Sequence, residues 1–182
     1  MINLQEVKRF KQGAAKTGSD ILMRLEEEYQ NNNKSDELEL YFEIVSSQSY
    51  GPRMEKFYIA KNNFLKVPSN IDRGDCKTLG EEYIEYKFSY AKESNKYKYN
   101  FVQIRPWQNL IGYALEVYAE GNGWHRFNIS KSEMGTLLEK YGGLAHGCKG
   151  TNMNSKKEMS LRGQIGDSLW CDLQDCNQSD LF

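Results

Sequence analysis

The chain has 182 residues, of which 39% are hydrophobic and 27% are charged, and its formal net charge is −1. This composition is typical of a folded domain and excludes the collagen-like, coiled-coil and disordered classes. No stretch approaches the roughly 20 apolar residues of a membrane span, so we expect no membrane partner. The near-neutral charge argues against a protein whose main work is nonspecific binding to polyanions.

The amino-terminal residues lack the basic region and apolar stretch of a secretory signal, and we expect a cytoplasmic location. The four cysteines are then expected to be reduced thiols. Cys171 and Cys176 could hold zinc together with Cys148 and His146. Their spacing is not the Cys-x2-Cys pattern of structural zinc sites, however, and buried or incidental cysteines are favoured.

The first half of the chain has mainly helical periodicity. Residues 3–29 place apolar side chains at helical spacing. Residues 37–45 fit a strand or a helix, and the pattern does not separate the two. Residues 52–62 begin with a proline near the first turn, which predicts a helix. The segment 147–157 is rich in Gly, Asn, Ser and Lys and is predicted to be a loop.

The period then changes to two. Residues 82–90 alternate strictly and form the clearest strand of the chain. Residues 99–107 are predicted to be a strand that ends at a proline and adjoins the first. Two further strands, 112–120 and 124–129, are joined by the turn Gly-Asn-Gly.

A helix is predicted directly after these strands. Ser130 and Glu133 have the spacing of a capping box, and the helix is expected to end at Gly142-Gly143. The element order predicts an α/β (α+β) fold with a central mixed sheet flanked by helices. We expect one domain over residues 1–182, consisting of an amino-terminal helical accessory element (1–48), a catalytic core (50–145), and a loop with an acidic tail (146–182).

The residues with the clearest chemical meaning lie on and before the strand 82–90. Glu85 and Lys87 are two residues apart, so both side chains leave the same face. A hairpin through residues 76–81 would bring Asp75 beside Glu85. Mg²⁺ takes one or two protein carboxylates and keeps several waters, and a lysine beside it can hold a water or a phosphate. This trio therefore predicts a metal-dependent centre for phosphoryl chemistry.

The pattern Asp75, then Glu85-x-Lys87 on a strand, resembles the PD-(D/E)xK nuclease superfamily, in particular type II restriction endonucleases. Residues 50–58 resemble the helix that precedes this motif in many such enzymes, and Glu55 matches its additional acid. Residues 100–108 are also similar to restriction-enzyme sequences. The resemblance covers about residues 50–130, and it departs from the family pattern at Gly74, where a proline is expected.

The resemblance implies a restriction-endonuclease-like core and Mg²⁺-dependent hydrolysis of DNA phosphodiester bonds, with Mn²⁺ as a substitute. Asp75 and Glu85 would bind the metal, Lys87 would position or activate the attacking water, and Glu55 would assist at the metal. The expected partner is double-stranded DNA. Cleavage of a palindromic site needs a two-fold arrangement, so a homodimer is expected.

Further polar residues are candidates for DNA contact. Arg and Gln side chains suit base edges or phosphates, and residues 87–105 carry five bases against one acid. The candidates are Ser89, Gln103, Arg105, Gln108, His146 and Lys149.

Three other functions stay open at the level of sequence. One is a repair or junction-resolving nuclease on the same fold. Another is a catalytically silent DNA-binding or accessory protein, although Asp75, Glu85 and Lys87 are all present. A regulatory protein with no nucleic-acid role is a third interpretation. No serine or cysteine hydrolase pattern and no nucleotide-binding glycine loop is found.

Overall fold

The computed structural model describes residues 15–31, 34–68, 72–144 and 157–182, together with Gln5. Along these ranges three helices come first, and six strands, a helix, two strands and a last helix follow, with a 3₁₀ turn at Glu93–Asn95. In chain order the elements are α1 (Ala15–Gln30), α2 (Asp36–Ile44), α3 (Ser47–Lys61), β1 (Leu65–Lys66), β2 (Cys76–Lys77), β3 (Tyr83–Ala91), β4 (Lys98–Ile104), β5 (Gly112–Ala119), β6 (Gly123–Ser130), α4 (Lys131–Tyr141), β7 (Gly143–Leu144), β8 (Met159–Gln164) and α5 (Ser168–Asp175).

The centre of the fold is a five-stranded sheet in the order β1-β2-β3-β5-β6. Strands β3 and β5 are parallel, and every other neighbouring pair is antiparallel. Strand β5 is buried along its whole length because both faces of the sheet are covered. The predicted α/β class with a central mixed sheet flanked by helices is confirmed.

Each face of this sheet supports its own hydrophobic core. On one face, Tyr86 and Tyr90 of β3 pack with buried residues of α1, α2 and α3. On the other face, Leu115 and Val117 of β5 pack against the second sheet, α4 and α5. Because the two faces of β3 alternate, Glu85 and Lys87 point towards the second layer.

One local prediction is confirmed, and one segment that the sequence left open is decided. The hydroxyl group of Ser130 accepts from the backbone N–H of Glu133, and the Glu133 side chain accepts from the backbone N–H of Ser130, which completes the capping box of α4. The ambiguous segment 37–45 is helix α2. The Ser35 hydroxyl caps α2 by accepting from the backbone N–H of Leu38, and buried residues on α2 face the core at helical spacing.

Two features of the second half differ from the sequence-based expectation. The strand predicted over 99–107 ends at Ile104 and pairs with β8 in a separate three-stranded sheet, β4-β8-β7, instead of joining the motif strand. The segment expected to be loop and tail contains β8 and α5. Helix α5 is capped by Asp167 and buries Leu169, Trp170 and Leu173, so hydrophobic burial decides its structure despite the acidic composition.

Parts of two predicted segments lie outside the described residues. These are residues 1–14 of the amino-terminal helical segment, except Gln5, and residues 147–156 of the predicted loop. Among the described residues, no helix is long and apolar enough to cross a membrane.

A buried carboxylate ties the amino-terminal helix to the central sheet. Glu116 on β5 is 2% exposed and accepts hydrogen bonds from the hydroxyl groups of Tyr29 (3.0 Å) and Tyr86 (2.7 Å). Arg126 on β6 neutralises its charge. Burial and the Glu116 carboxylate raise the pKa of Tyr86 well above its usual value, so the hydroxyl stays protonated and donates. Both oxygens of the Glu116 carboxylate therefore accept hydrogen bonds.

We expect Glu116→Gln to destabilise the fold by about 2–4 kcal/mol, because the substitution leaves the partly buried Arg126 without its counter-charge. Urea denaturation of the wild type and of Glu116→Gln measures the difference in their free energies of unfolding. A loss below about 0.5 kcal/mol would contradict the assignment of Glu116 as a structural anchor.

Candidate active site

The register of the β2–β3 hairpin assembles the candidate centre. Cys76 pairs with Ile84 and Lys77 with Tyr83, so Asp75 lies across from Glu85. The backbone N–H of Tyr86 donates to Asp75 Oδ2 at 3.1 Å. The predicted hairpin is confirmed, and it brings together two carboxylates that are ten residues apart in sequence.

The turn of the hairpin is fixed by its own hydrogen bonds. The backbone N–H of Thr78 donates to the carbonyl oxygen of Glu82 at 2.9 Å, and the N–H of Glu81 donates to the carbonyl oxygen of Thr78 at 3.0 Å. The residue in the left-handed region is Glu81, with φ of 70°, rather than the neighbouring Gly80. The turn therefore forms without the glycine conformation that the sequence suggests there.

Gly74 is required by close backbone packing. A Cβ atom at this position would lie 2.2 Å from the carbonyl oxygen of Ile84 on β3. Proline, which also has a Cβ atom, would meet the same atom. The departure from the motif proline thus has a local cause, since the chain before Asp75 passes directly over the strand that carries Glu85.

The loop before Asp75 is also held from a second direction. Gln108 is fully buried, and its side-chain N–H donates to the carbonyl oxygen of Arg73 at 2.6 Å. The backbone N–H of Asn109 donates to the carbonyl oxygen of Asp72 at 2.9 Å. The segment that follows β4 therefore fixes the approach to Asp75.

The charges of the centre are arranged around Lys87. Its ammonium group pairs with Glu85 Oε1 and lies 3.9 Å from Asp75 Oδ2. Glu85 is 1% exposed, whereas the side chains of Asp75 and Lys87 are partly exposed. The centre therefore has a buried carboxylate at its base and opens to solvent at Asp75 and Lys87.

Burial raises the pKa of Glu85, and the nearby charge of Lys87 opposes this shift. The second oxygen, Oε2, is buried and has no hydrogen-bond partner among the described residues. A buried carboxylate oxygen without a partner is costly for the fold, which favours a ligand at this position.

The donor set suits a hard divalent cation. Asp75 and Glu85 offer carboxylate oxygens, and Mg²⁺ is commonly bound by one or two carboxylates with water in the other positions. Across the described ranges, no three His, Cys, Asp or Glu side chains are grouped around one metal position. Two carboxylates and an adjacent lysine therefore make up the candidate metal centre.

Glu55 lies on α3, as the sequence predicts, and its carboxylate pairs with Lys66 of β1. Lys66 is opposite Cys76 in the sheet, one residue from Asp75. Glu55 is thus one strand away from the two carboxylates and engaged by a lysine. Its assistance at the metal stays a prediction.

The predicted DNA-contact residues are placed differently from one another. Ser89 is buried, and its hydroxyl oxygen accepts from the backbone N–H of Asn100 at 3.0 Å. Gln103 is exposed, and Arg105 pairs with Glu158 at 2.8 Å. Gln108, as described above, holds the loop before Asp75. His146 and Lys149 lie outside the described residues.

Sequence reasoning missed two residues that shape the centre. Tyr86 alternates with Glu85 and Lys87, and it contacts Asp75 through its backbone and Glu116 through its side chain. Glu158 pairs with Arg105, whose charge opposes the rise in the pKa of Glu85 that burial causes. The position of Tyr86 between Glu85 and Lys87 could have identified it from the sequence. Glu158 is 53 residues from its partner Arg105, so no local pattern in the sequence identifies it.

The sequence matches no protein-family model, and a search of curated proteins found no significant match.

We expect Glu85→Gln to cost the fold much less than Glu116→Gln. Both carboxylates are buried, but Glu85 has an unpaired oxygen and Lys87 keeps Asp75 as a second carboxylate. Urea denaturation of the two variants compares them directly. Equal losses would contradict the view that Glu85 is not required for the fold.

We expect Gly74→Ala to lower stability by about 1–3 kcal/mol, because the methyl group collides with the Ile84 carbonyl. Gly51→Ala is the control, since nothing lies within 4 Å of its Cβ position. Thermal denaturation of both variants checks the prediction. A Gly74→Ala protein as stable as the control would contradict it.

Proposed function

We propose that the chain is a metal-dependent endonuclease that hydrolyses phosphodiester bonds of double-stranded DNA. One observation carries the proposal: the hairpin brings Asp75, Glu85 and Lys87 into one cluster, with Glu85 Oε2 buried and unpaired. The resemblance to the PD-(D/E)xK motif supports the same residues independently of the geometry.

Each residue of the centre has its own role in the proposed reaction. Asp75 and Glu85 would hold the divalent ion, with Asp75 oriented by the backbone N–H of Tyr86. The ammonium group of Lys87, between the two carboxylates, orients a water whose oxygen bonds to phosphorus while the bond from phosphorus to the leaving sugar oxygen breaks. The attacking water loses a proton to solvent, the leaving oxygen gains one from solvent, and the charge of Lys87 offsets negative charge in the transition state. Bound Mg²⁺ would act as a Lewis acid on the phosphate and lower the pKa of a bound water.

The finer proposal is a sequence-specific type II restriction enzyme that works in the cytoplasm as a homodimer. Its support is the motif and the similarity of residues 50–58 and 100–108 to such enzymes. A repair or junction nuclease would use the same centre on branched DNA, so the choice of substrate separates the two.

Incubation of the protein with unmethylated phage genomic DNA and Mg²⁺ should give discrete fragments, and EDTA should abolish them. Lys87→Ala should lower the cleavage rate by about 10²-fold or more, because it removes the group that orients the water. Agarose gel analysis of a time course measures both effects.

Lys77→Ala is the matched control, since Lys77 lies on the same hairpin and pairs with Glu81. It should cut at nearly the wild-type rate. A Mg²⁺-dependent smear would indicate a nonspecific nuclease, and cleavage of branched DNA alone would indicate a junction enzyme. No cleavage of any substrate, with Mn²⁺ included, would overturn the proposal and favour a silent binding protein.

A further inference from the structure

The outer face of the second sheet carries a row of exposed polar and basic side chains. Lys98 pairs with Gln164 and Asn100 with Arg162 across strands β4 and β8. Residues directly opposite in an antiparallel pair share a face, so the four side chains form one surface. All four are exposed, whereas Tyr99, Phe101 and Leu161 on the inner face are buried. We call this surface, Lys98, Asn100, Arg162 and Gln164, the ribbon face.

The ribbon face has a definite charge. Its two charged members, Lys98 and Arg162, are both basic, and within the described part of the chain neither pairs with a carboxylate. This contrasts with Lys92, Arg105 and Lys140, each of which has an acidic partner. In a chain of net charge −1, the ribbon face is therefore locally positive.

Strand β4, which carries Lys98 and Asn100 of the ribbon face, contacts the strand of the candidate centre. The backbone N–H of Asn100 donates to Ser89 Oγ, and Ser89 is two residues beyond Lys87 on the same face of β3, about 7 Å along the strand. At the other end of β4, the carbonyl oxygen of Arg105 accepts a hydrogen bond from the hydroxyl group of Tyr113, which pairs with Glu85 across β3 and β5. Strand β4, which carries half of the ribbon face, therefore runs alongside the part of the central sheet that carries the candidate centre.

Strand β4 also contains a β-bulge with an exposed residue. The register shifts between Phe101 and Ile104, and Gln103 at this bulge is exposed with φ of 56°. A left-handed glutamine is uncommon, and bulges near functional sites redirect side chains. The bulge places Gln103 in an exposed position on β4, three residues beyond Asn100 of the ribbon face.

We propose that the ribbon face is the surface that binds duplex DNA, with strands β4 and β8 lying in the major groove. This inference rests on the proposed function and adds where the substrate binds. A two-stranded ribbon fits the major groove, where arginine pairs with guanine and asparagine or glutamine pairs with adenine. Arg162, Asn100 and Gln164 have this chemistry, and Lys98 suits a phosphate.

The test measures binding of the full chain to a fluorescently labelled 30-bp duplex in EDTA, where cleavage is stopped. Fluorescence anisotropy at several NaCl concentrations gives the affinity and its salt dependence. The double substitution Lys98→Ala/Arg162→Ala should weaken binding about 10-fold or more. It should also reduce the slope of log K against log salt by about one, because the phosphate contact of Lys98 and the counterions that it releases are lost.

Lys56→Ala is the matched control. Lys56 is exposed on α3, which packs on the opposite face of the central sheet, and its removal should leave affinity and slope unchanged. Both substituted proteins should keep the wild-type melting temperature, because the side chains are exposed. Equal weakening in the control, or unaltered binding in the double variant, would overturn the ribbon proposal.

The outcomes also separate this inference from the nuclease itself. If the protein binds duplex DNA through the ribbon face and never cleaves it, the ribbon proposal stands and the nuclease proposal fails. If the double variant binds and cleaves as the wild type does, the ribbon proposal fails and the nuclease stands. Absence of duplex binding by the wild type at low salt, or preference for single strands, would overturn the ribbon proposal.

Discussion

The candidate centre depends on the register of one short hairpin. The pairing of Cys76 with Ile84 sets Asp75 across from Glu85, and a slip of one residue would move one of the carboxylates to the other face of the sheet. Strand β2 has only two paired residues, so its ladder alone holds the register weakly. The close approach of Gly74 to Ile84 and the hydrogen bond from Gln108 to Arg73 add the missing restraint.

Two buried carboxylates on neighbouring parallel strands, Glu116 and Glu85, have different surroundings, which fit a structural role for the first and the proposed metal-binding role for the second. Glu116 faces the helical layer, where two tyrosine hydroxyl groups and an arginine satisfy it. Glu85 faces the second layer and keeps one oxygen without a partner. Tyr86 lies between the two environments, because its backbone contacts the centre and its side chain contacts Glu116. The structural network therefore supports the strand that carries the proposed chemistry.

The strands form two separate sheets, and this division places the candidate centre and the ribbon face on different sheets. Because β4 leaves the central sheet and pairs with β8, it lays a second layer over the face that carries Glu85 and Lys87. The inner side of this layer closes a hydrophobic core, and its outer side carries the ribbon face. Fold stability and proposed DNA recognition thus use opposite sides of the same two strands.

Local chemistry in the sequence was sufficient for much of the fold. Strict alternation over residues 82–90 determined β3, and the capping box at Ser130 determined the start of α4, because both signals act between neighbouring residues. The spacing of Glu85 and Lys87 also determined their shared face. Asp75 could be placed beside them only because the intervening segment is short enough for a hairpin.

Long-range packing decided the rest. Residues 37–45 became a helix because their buried side chains meet the core at helical spacing, which their near-alternating sequence did not reveal. Strand β8 formed because β4, about 60 residues earlier, supplied its hydrogen-bonding partner. The burial of Glu85 and the composition of the ribbon face likewise depend on layers contributed by distant segments. These contacts exist only in the tertiary structure, and no local pattern encodes them.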